Sequence, residues 1–176
     1  MSLRPYNLTV PSSYFKKMVG IFSSAPFYPK HVQFPTGESI PDKIQQNPKF
    51  WLYFCNAIGA IDGSHIPITP PAHVCGHYHN WKGFLSQNAL FVCDFDLKFT
   101  YSLTGWEGSA ADACVYDDAI SSDLRIPPGK YLLADAGYPL HMQLLVPYWG
   151  VRYHLAEWGR VNVQYVYFHL TLIYVI

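Results

Sequence analysis

Hydrophobic positions change their period along the chain. Phe15, Met18, Val19 and Phe22 recur at the spacing of one helix face, so a helix is predicted that Ser12 or Ser13 caps and that Pro26 and Pro29 stop. Lys16 and Lys17 fall on its wet face, where solvated surface is the ordinary reading and contact with DNA the functional one. The stretch from Pro35 to Pro48 reads as a connector. From Ala57 the pattern shortens. Ala57-Ile58-Gly59-Ala60-Ile61-Asp62 is an apolar run ending in an acid, followed by Gly63 and a second run at Ile66 to Ile68, which predicts a buried strand with a carboxylate at its end.

Asn88 to Phe95 and Leu97 to Leu103 are strand-like runs joined at Asp94-Phe95-Asp96, which predicts an antiparallel hairpin. Gly105 and Gly108 end it, Ser109 is placed to cap a helix from Ala110 to Ser121, and Pro127-Pro128-Gly129 makes a sharp turn. Tyr131-Leu132-Leu133-Ala134-Asp135 then repeats the device of an apolar strand ending in an acid. Strand, hairpin, helix and strand in that order predict a mixed α/β sheet in which a central strand reaches a parallel neighbour through a helix.

Composition narrows the class. Of 176 residues half are apolar and only 14% charged, which excludes a disordered chain and fits one folded domain. The formal net charge is zero, so no global basic field draws the chain onto nucleic acid, and contact with DNA must be local or assisted. Four cysteines without a secretory leader read as reduced thiols in the cytosol or nucleus. The apolar run Val163 to Ile176 contains Gln164, His169 and Thr171 and is shorter than the roughly 20 residues of a membrane span, so no membrane association is expected. Neither a dinucleotide fingerprint nor a P-loop is present, and no nucleotide cofactor is expected.

The chemistry centres on Asp62 and Asp135. A carboxylate beside apolar strands is costly unless it is paired, hydrogen-bonded or holding a cation. Asp-Gly and Asp-x-Gly are also ordinary strand-exit turns. If the two acids converge, they offer the hard oxygen donors that Mg²⁺ or Mn²⁺ takes, with room left for water and phosphate oxygens.

Four blocks carry a resemblance. Gly59-Ala60-Ile61-Asp62-Gly63-Ser64-His65-Ile66, Lys82-Gly83-Phe84-Leu85-Ser86-Gln87-Asn88, Gly105-Trp106-Glu107-Gly108-Ser109-Ala110-Ala111-Asp112 and Leu133-Ala134-Asp135-Ala136-Gly137-Tyr138-Pro139 resemble, in order, the blocks of PIF/Harbinger-type transposases and Harbinger-derived nucleases of the DDE superfamily. The resemblance implies an RNase H-like mixed sheet with flanking helices, incomplete at the C-terminus. It further implies a nuclear, divalent-metal-dependent DNA endonuclease or transposase ancestry, and a separate DNA-binding protein partner. By position, Asp62 and Asp135 correspond to the first and second acids of the family's metal-binding triad, and Asp112 matches a further acid frequent there. Asp112 also reads as an ordinary helix-terminus charge.

The family's third acid is a glutamate on a later helix, and this chain departs there. Glu157 matches a residue before that helix and is not assigned to the triad. The tail 161–176, without Asp, Glu, Lys or Arg, suggests a truncated or mis-spliced product. The division expected is residues 1–48 as a partial helical region and connector, 49–160 as the partial nuclease domain, and 161–176 as a divergent apolar tail. Impaired cleavage is expected, with a non-catalytic transposase remnant that binds protein or DNA as the alternative.

Other candidates are weaker. His73, Cys75, His77 and His79 invite a zinc reading, but no second ligand pair follows at finger spacing, so a His-rich surface loop is the default. Ser64 and His65 beside Asp62 lack a nucleophile elbow, and strand neighbours point apart. Trp81, Trp106, Trp149 and Trp158 are expected chiefly as packing residues.

Overall fold

A computed structural model describes residues 9–147, and the chain divides into two compact units, Met1–Phe34 and Pro35–Ile176. In the first unit, α1 (Thr9–Ser23) contains the predicted helix but begins earlier, so Ser12 and Ser13 lie inside it. Pro11 is tolerated there because first-turn N–H groups have no helical partner to lose. Ser24 Oγ donates to the Gly20 carbonyl at 2.6 Å where α1 ends. The Phe27 ring of α2 (Phe27–His31) meets Phe22 edge to face, with centroids 4.9 Å apart.

The second unit begins with two short helices, α3 (Asp42–Gln45) and α4 (Pro48–Phe54). Asn47 caps α4 by accepting from Lys49 N, with Pro48 at the position that needs no donor. The stretch that reads as a connector therefore supplies core. Ile44 is fully buried in a cluster with Ala57, Ala60, Cys93, Phe95 and Leu133. One apolar residue between prolines shows no period, so sequence pattern could not reveal it.

Five strands form one sheet in the order β3-β2-β1-β4-β5. These are β1 (Ala57–Pro67), β2 (Ser86–Cys93), β3 (Phe99–Glu107), β4 (Tyr131–Leu133) and β5 (Leu144–Leu145). The pairs β1–β2 and β2–β3 are antiparallel, while β1–β4 and β4–β5 are parallel. Helix α5 (Asp112–Ser122) joins β3 to β4 and packs on β2 and β3, burying Val115, Tyr116 and Ala119. The α3–α4 cluster lies with Ala60 and Leu133, so helices cover the sheet as expected. This is the mixed sheet with flanking helices of an RNase H-like fold. The hairpin turn is held by Asp94, whose Oδ1 accepts from Asp96 N and Lys98 N at 2.8 and 2.9 Å.

Other local expectations change as well, and β3 runs on through Gly105 to Glu107 instead of ending at Gly105. Asp62 does not end its strand, because β2 keeps pairing with β1 as far as Pro67 opposite Ser86. What ends near Asp62 is burial: Ala57, Ile58, Ala60 and Ile61 are buried, whereas Asp62 and the three residues after it are half-buried. Ser109 does not cap α5. Its N–H donates to the His77 carbonyl at 3.3 Å, and α5 begins at Asp112 behind an extended Ala111. Glu157, Trp149, Trp158 and the tail 161–176 lie outside the described residues. Among the described residues no helix is long and apolar enough to cross a membrane.

Candidate active site

The parallel register of β1 and β4 brings two acids together. Gly59 lies opposite Leu132 and Ala60 opposite Leu133, so both chains head toward their acids two residues further on, and the Asp135 charge acts on Asp62. Alternation puts Asp62 on the side of Ala60, and Asp135 on that of Leu133, if the extended path continues. Pairing between β4 and β1 stops at Ala60, which leaves the edge of β1 at Asp62 open on that side. Each carboxylate is tied to a nearby backbone N–H. Gly63 N donates to Asp62 Oδ1 at 2.8 Å and Gly137 N to Asp135 Oδ1 at 2.9 Å.

Asp112 arrives from the α5 side, in the first turn of the helix. Its carboxylate sits directly over Gly63, where any Cβ would overlap Oδ1 and Cγ. Asn88 of β2 fixes it there: Nδ2 donates to Asp112 Oδ1 at 2.7 Å and to the Ala110 carbonyl at 3.0 Å. Both acceptors face one side of the amide, so the nitrogen must be the atom turned toward them. Asn88 is completely buried, and its Oδ1 has no hydrogen-bond partner. Neither Asn88 nor Gly63 stands out in the sequence as a functional residue. The available signal is a polar side chain set against the apolar run Ala89 to Val92.

The three acids share a field. Burial, then the charge of Asp135 and more weakly that of Asp112, pushes Asp62 up to about 6, against the lowering effect of the Gly63 N–H. Tyr138 lies in the same field. Its buried hydroxyl has no hydrogen-bond partner, and burial together with Asp112, Asp62 and Asp135 holds it firmly protonated.

Among the described residues no three His, Cys, Asp or Glu side chains already form a metal cage. The donor chemistry nonetheless fits a hard divalent ion that keeps part of its water. Carboxylate oxygens are its preferred ligands, and a cation would offset the burial and the Asp135 charge that raise Asp62.

The remaining candidates are placed elsewhere. His73, Cys75 and His77 lie in a 3₁₀ helix, Ala72–Tyr78, rather than an extended loop, and Cys75 Sγ turns to the Pro70 and Pro71 carbonyls. The His65 ring bonds Ser86 Oγ at 3.1 Å, which gives it a structural partner on β2. Trp106 is half-buried, with Nε1 donating to Asp118 Oδ2 at 2.9 Å, and so packs as expected. Trp81 does not pack: it is 81% exposed.

Comparison with known proteins supplies the family. The chain matches the DDE superfamily endonuclease family over residues 61–164, more than half its length. It is 31% identical over 119 residues to "Putative nuclease HARBI1" of Rattus norvegicus, a match covering 66% of this chain and 34% of the relative. Over the same shares, the proteins of that name from Mus musculus and Homo sapiens are 29% and 28% identical. The chain thus spans about a third of the length of the curated relatives it matches. No solved structure matches it. The matched segment contains Asp62, Asn88, Asp112 and Asp135, and the chain belongs to the DDE superfamily endonuclease family.

Proposed function

We propose that this chain carries a divalent-metal-dependent site for hydrolysis of DNA phosphodiesters, with Asp62 and Asp135 as its main ligands and Asp112 as a further carboxylate. The observation that supports the reading is the parallel β1–β4 register, which leads toward Asp62 and Asp135, together with burial and the Asp135 charge that raise Asp62. A bound Mg²⁺ or Mn²⁺ would supply charge neutralisation and Lewis acidity at the scissile phosphate. The protein's own groups hold the donors in place. Asn88 anchors Asp112, while the Gly63 and Gly137 N–H groups anchor one oxygen each of Asp62 and Asp135 and leave the other free.

Nuclear DNA as substrate and a separate DNA-binding protein as targeting partner belong to this proposal. A net charge of zero supports the second, since the chain offers little field of its own. A remnant that binds without cutting is the other reading. It is favoured by the Asn88 bond to Asp112 Oδ1, which engages one oxygen of the third carboxylate and so reduces the donors open to an ion.

The test is incubation of the full chain with supercoiled duplex DNA and Mn²⁺, beside direct Mn²⁺ binding followed by electron paramagnetic resonance. Binding and slow nicking that both disappear in Asp62→Ala and Asp135→Ala are expected. Binding without nicking assigns the remnant reading, and Mn²⁺ binding that survives both substitutions overturns the metal site.

A further inference from the structure

The loop between the 3₁₀ helix and β2 devotes many hydrogen bonds to holding an exposed tryptophan. Asn80, 5% exposed, accepts through Oδ1 from Lys82 N and Phe84 N at 3.0 and 3.2 Å. Its Nδ2 donates to the fully buried Ser86 Oγ at 3.1 Å, and its backbone bonds Phe84 and Gly83 across the turn. Gly83 sits at φ +82°, a left-handed conformation that glycine adopts without strain. Asn80 thus bonds through both side-chain polar atoms and both backbone groups, and the loop is ordered before it meets anything.

What this frame presents is Trp81, 81% exposed, with Lys82 Nζ 4.8 Å from its ring centroid and Phe84 40% exposed beside it. The sequence from 63 to 93 contains no Asp or Glu, while Lys82, His65, His73, His77 and His79 all fall within it. Glu107, opposite Gln87 on β3, is an acid at this end of the sheet. Pro67 pairs with Ser86 at the base of the loop, five residues along β1 from Asp62, or about 16 Å of strand. At about 3.4 Å per nucleotide along a duplex, the base of the loop is about five nucleotides from Asp62.

We propose that Trp81 and Lys82 form a contact for an unpaired DNA base beside the candidate cleavage site: a base stacks on the free face of the Trp81 ring, and the Lys82 ammonium, held against the other face, takes an adjacent phosphate. A cation at the ring and a local sequence without acids favour a polyanion, with Glu107 the acid set against it. A preordered loop reduces the entropy lost on binding. This inference rests on the DNA reading above.

The test uses the full chain in EDTA, where binding is read without cleavage, and fluorescence anisotropy with a blunt duplex and with the same duplex carrying a single-stranded overhang. The overhang DNA binds more tightly to the wild type. Trp81→Ala removes that preference, a loss of roughly fivefold or more, and Trp81→Phe restores part of it. Lys82→Ala flattens the dependence of log affinity on log salt by about 0.7 to 0.9. Because Trp81 is exposed, the unfolding midpoint of Trp81→Ala serves as a control and stays at the wild-type value.

Overhang binding by Trp81→Ala equal to that of the wild type overturns this inference alone. A wild type that binds neither DNA overturns this inference, while the DNA reading stands or falls on the nicking test above. Concentration-dependent self-association that Trp81→Ala abolishes in sedimentation, with DNA binding unchanged, assigns the loop to a second copy and also overturns it.

Discussion

The Asp112 carboxylate fills the space in front of Gly63 that any side chain at that position would need. The contact follows from α5 starting at Asp112 while Asn88 of β2 holds the carboxylate down. Glycine at 63 is therefore a matter of room, since the neighbour that a side chain would displace is anchored.

Gly63→Ala should push Asp112 off Asn88 and lower stability by about 1 to 3 kcal/mol, the usual range for overpacking. It should weaken Mn²⁺ binding as well. Urea unfolding and a Mn²⁺ titration check this, and a variant matching the wild type in both would show that Asp112 moves aside freely.

Asn88→Leu removes the donor that serves Asp112 and the Ala110 carbonyl, at a cost of about 1 to 3 kcal/mol. Asn88→Asp should be worse at pH 7, where it sets a second negative charge against Asp112, and should recover part of the difference at pH 4, where protonation supplies a donor. Denaturant unfolding of both variants at the two pH values is the measurement, and a pH-independent gap for Asn88→Asp would contradict the contact.

The metal-free protein should lose stability as Asp62 ionises. Its midpoint is raised to about 6 from 3.8, so the folded state binds this proton more tightly than the unfolded state. That stabilisation is fully present below about pH 4 and is lost as pH rises through 6. Asp62→Asn removes the titration and should be more stable than the wild type at pH 7 by about 1 to 2 kcal/mol, after a discount for partial exposure. Unfolding in EDTA from pH 4 to 8 checks the sign, and a variant less stable than the wild type at pH 7 would refute it.

Ile44→Ala should cost about 2 to 5 kcal/mol, because the side chain is fully buried in the α3–α4 cluster. A loss below about 1 kcal/mol in thermal or denaturant unfolding would mean that α3 does not belong to the core.

The hairpin was legible from sequence because Asp94 carries its own turn chemistry, and the β1 and β4 runs because their residues are continuously apolar. The start of α5 was not. Ser109 has a capping side chain, yet its N–H is taken by His77, more than thirty residues earlier in the chain. Trp81 likewise reads as packing by residue type, and only the Asn80 frame turns it outward.

Sequence alone determined which residues have the chemistry for a divalent ion, Asp62 and Asp135 at apolar runs, because composition and local pattern act between near neighbours. Only the tertiary structure decided that β4 runs parallel to β1 with the Asp135 charge acting on Asp62, that the Asp112 carboxylate lies over Gly63, and that Asn88 anchors it. Those relations join residues 24 to 73 positions apart, and contacts over such separations depend on how strands and helix pack, which no local period encodes.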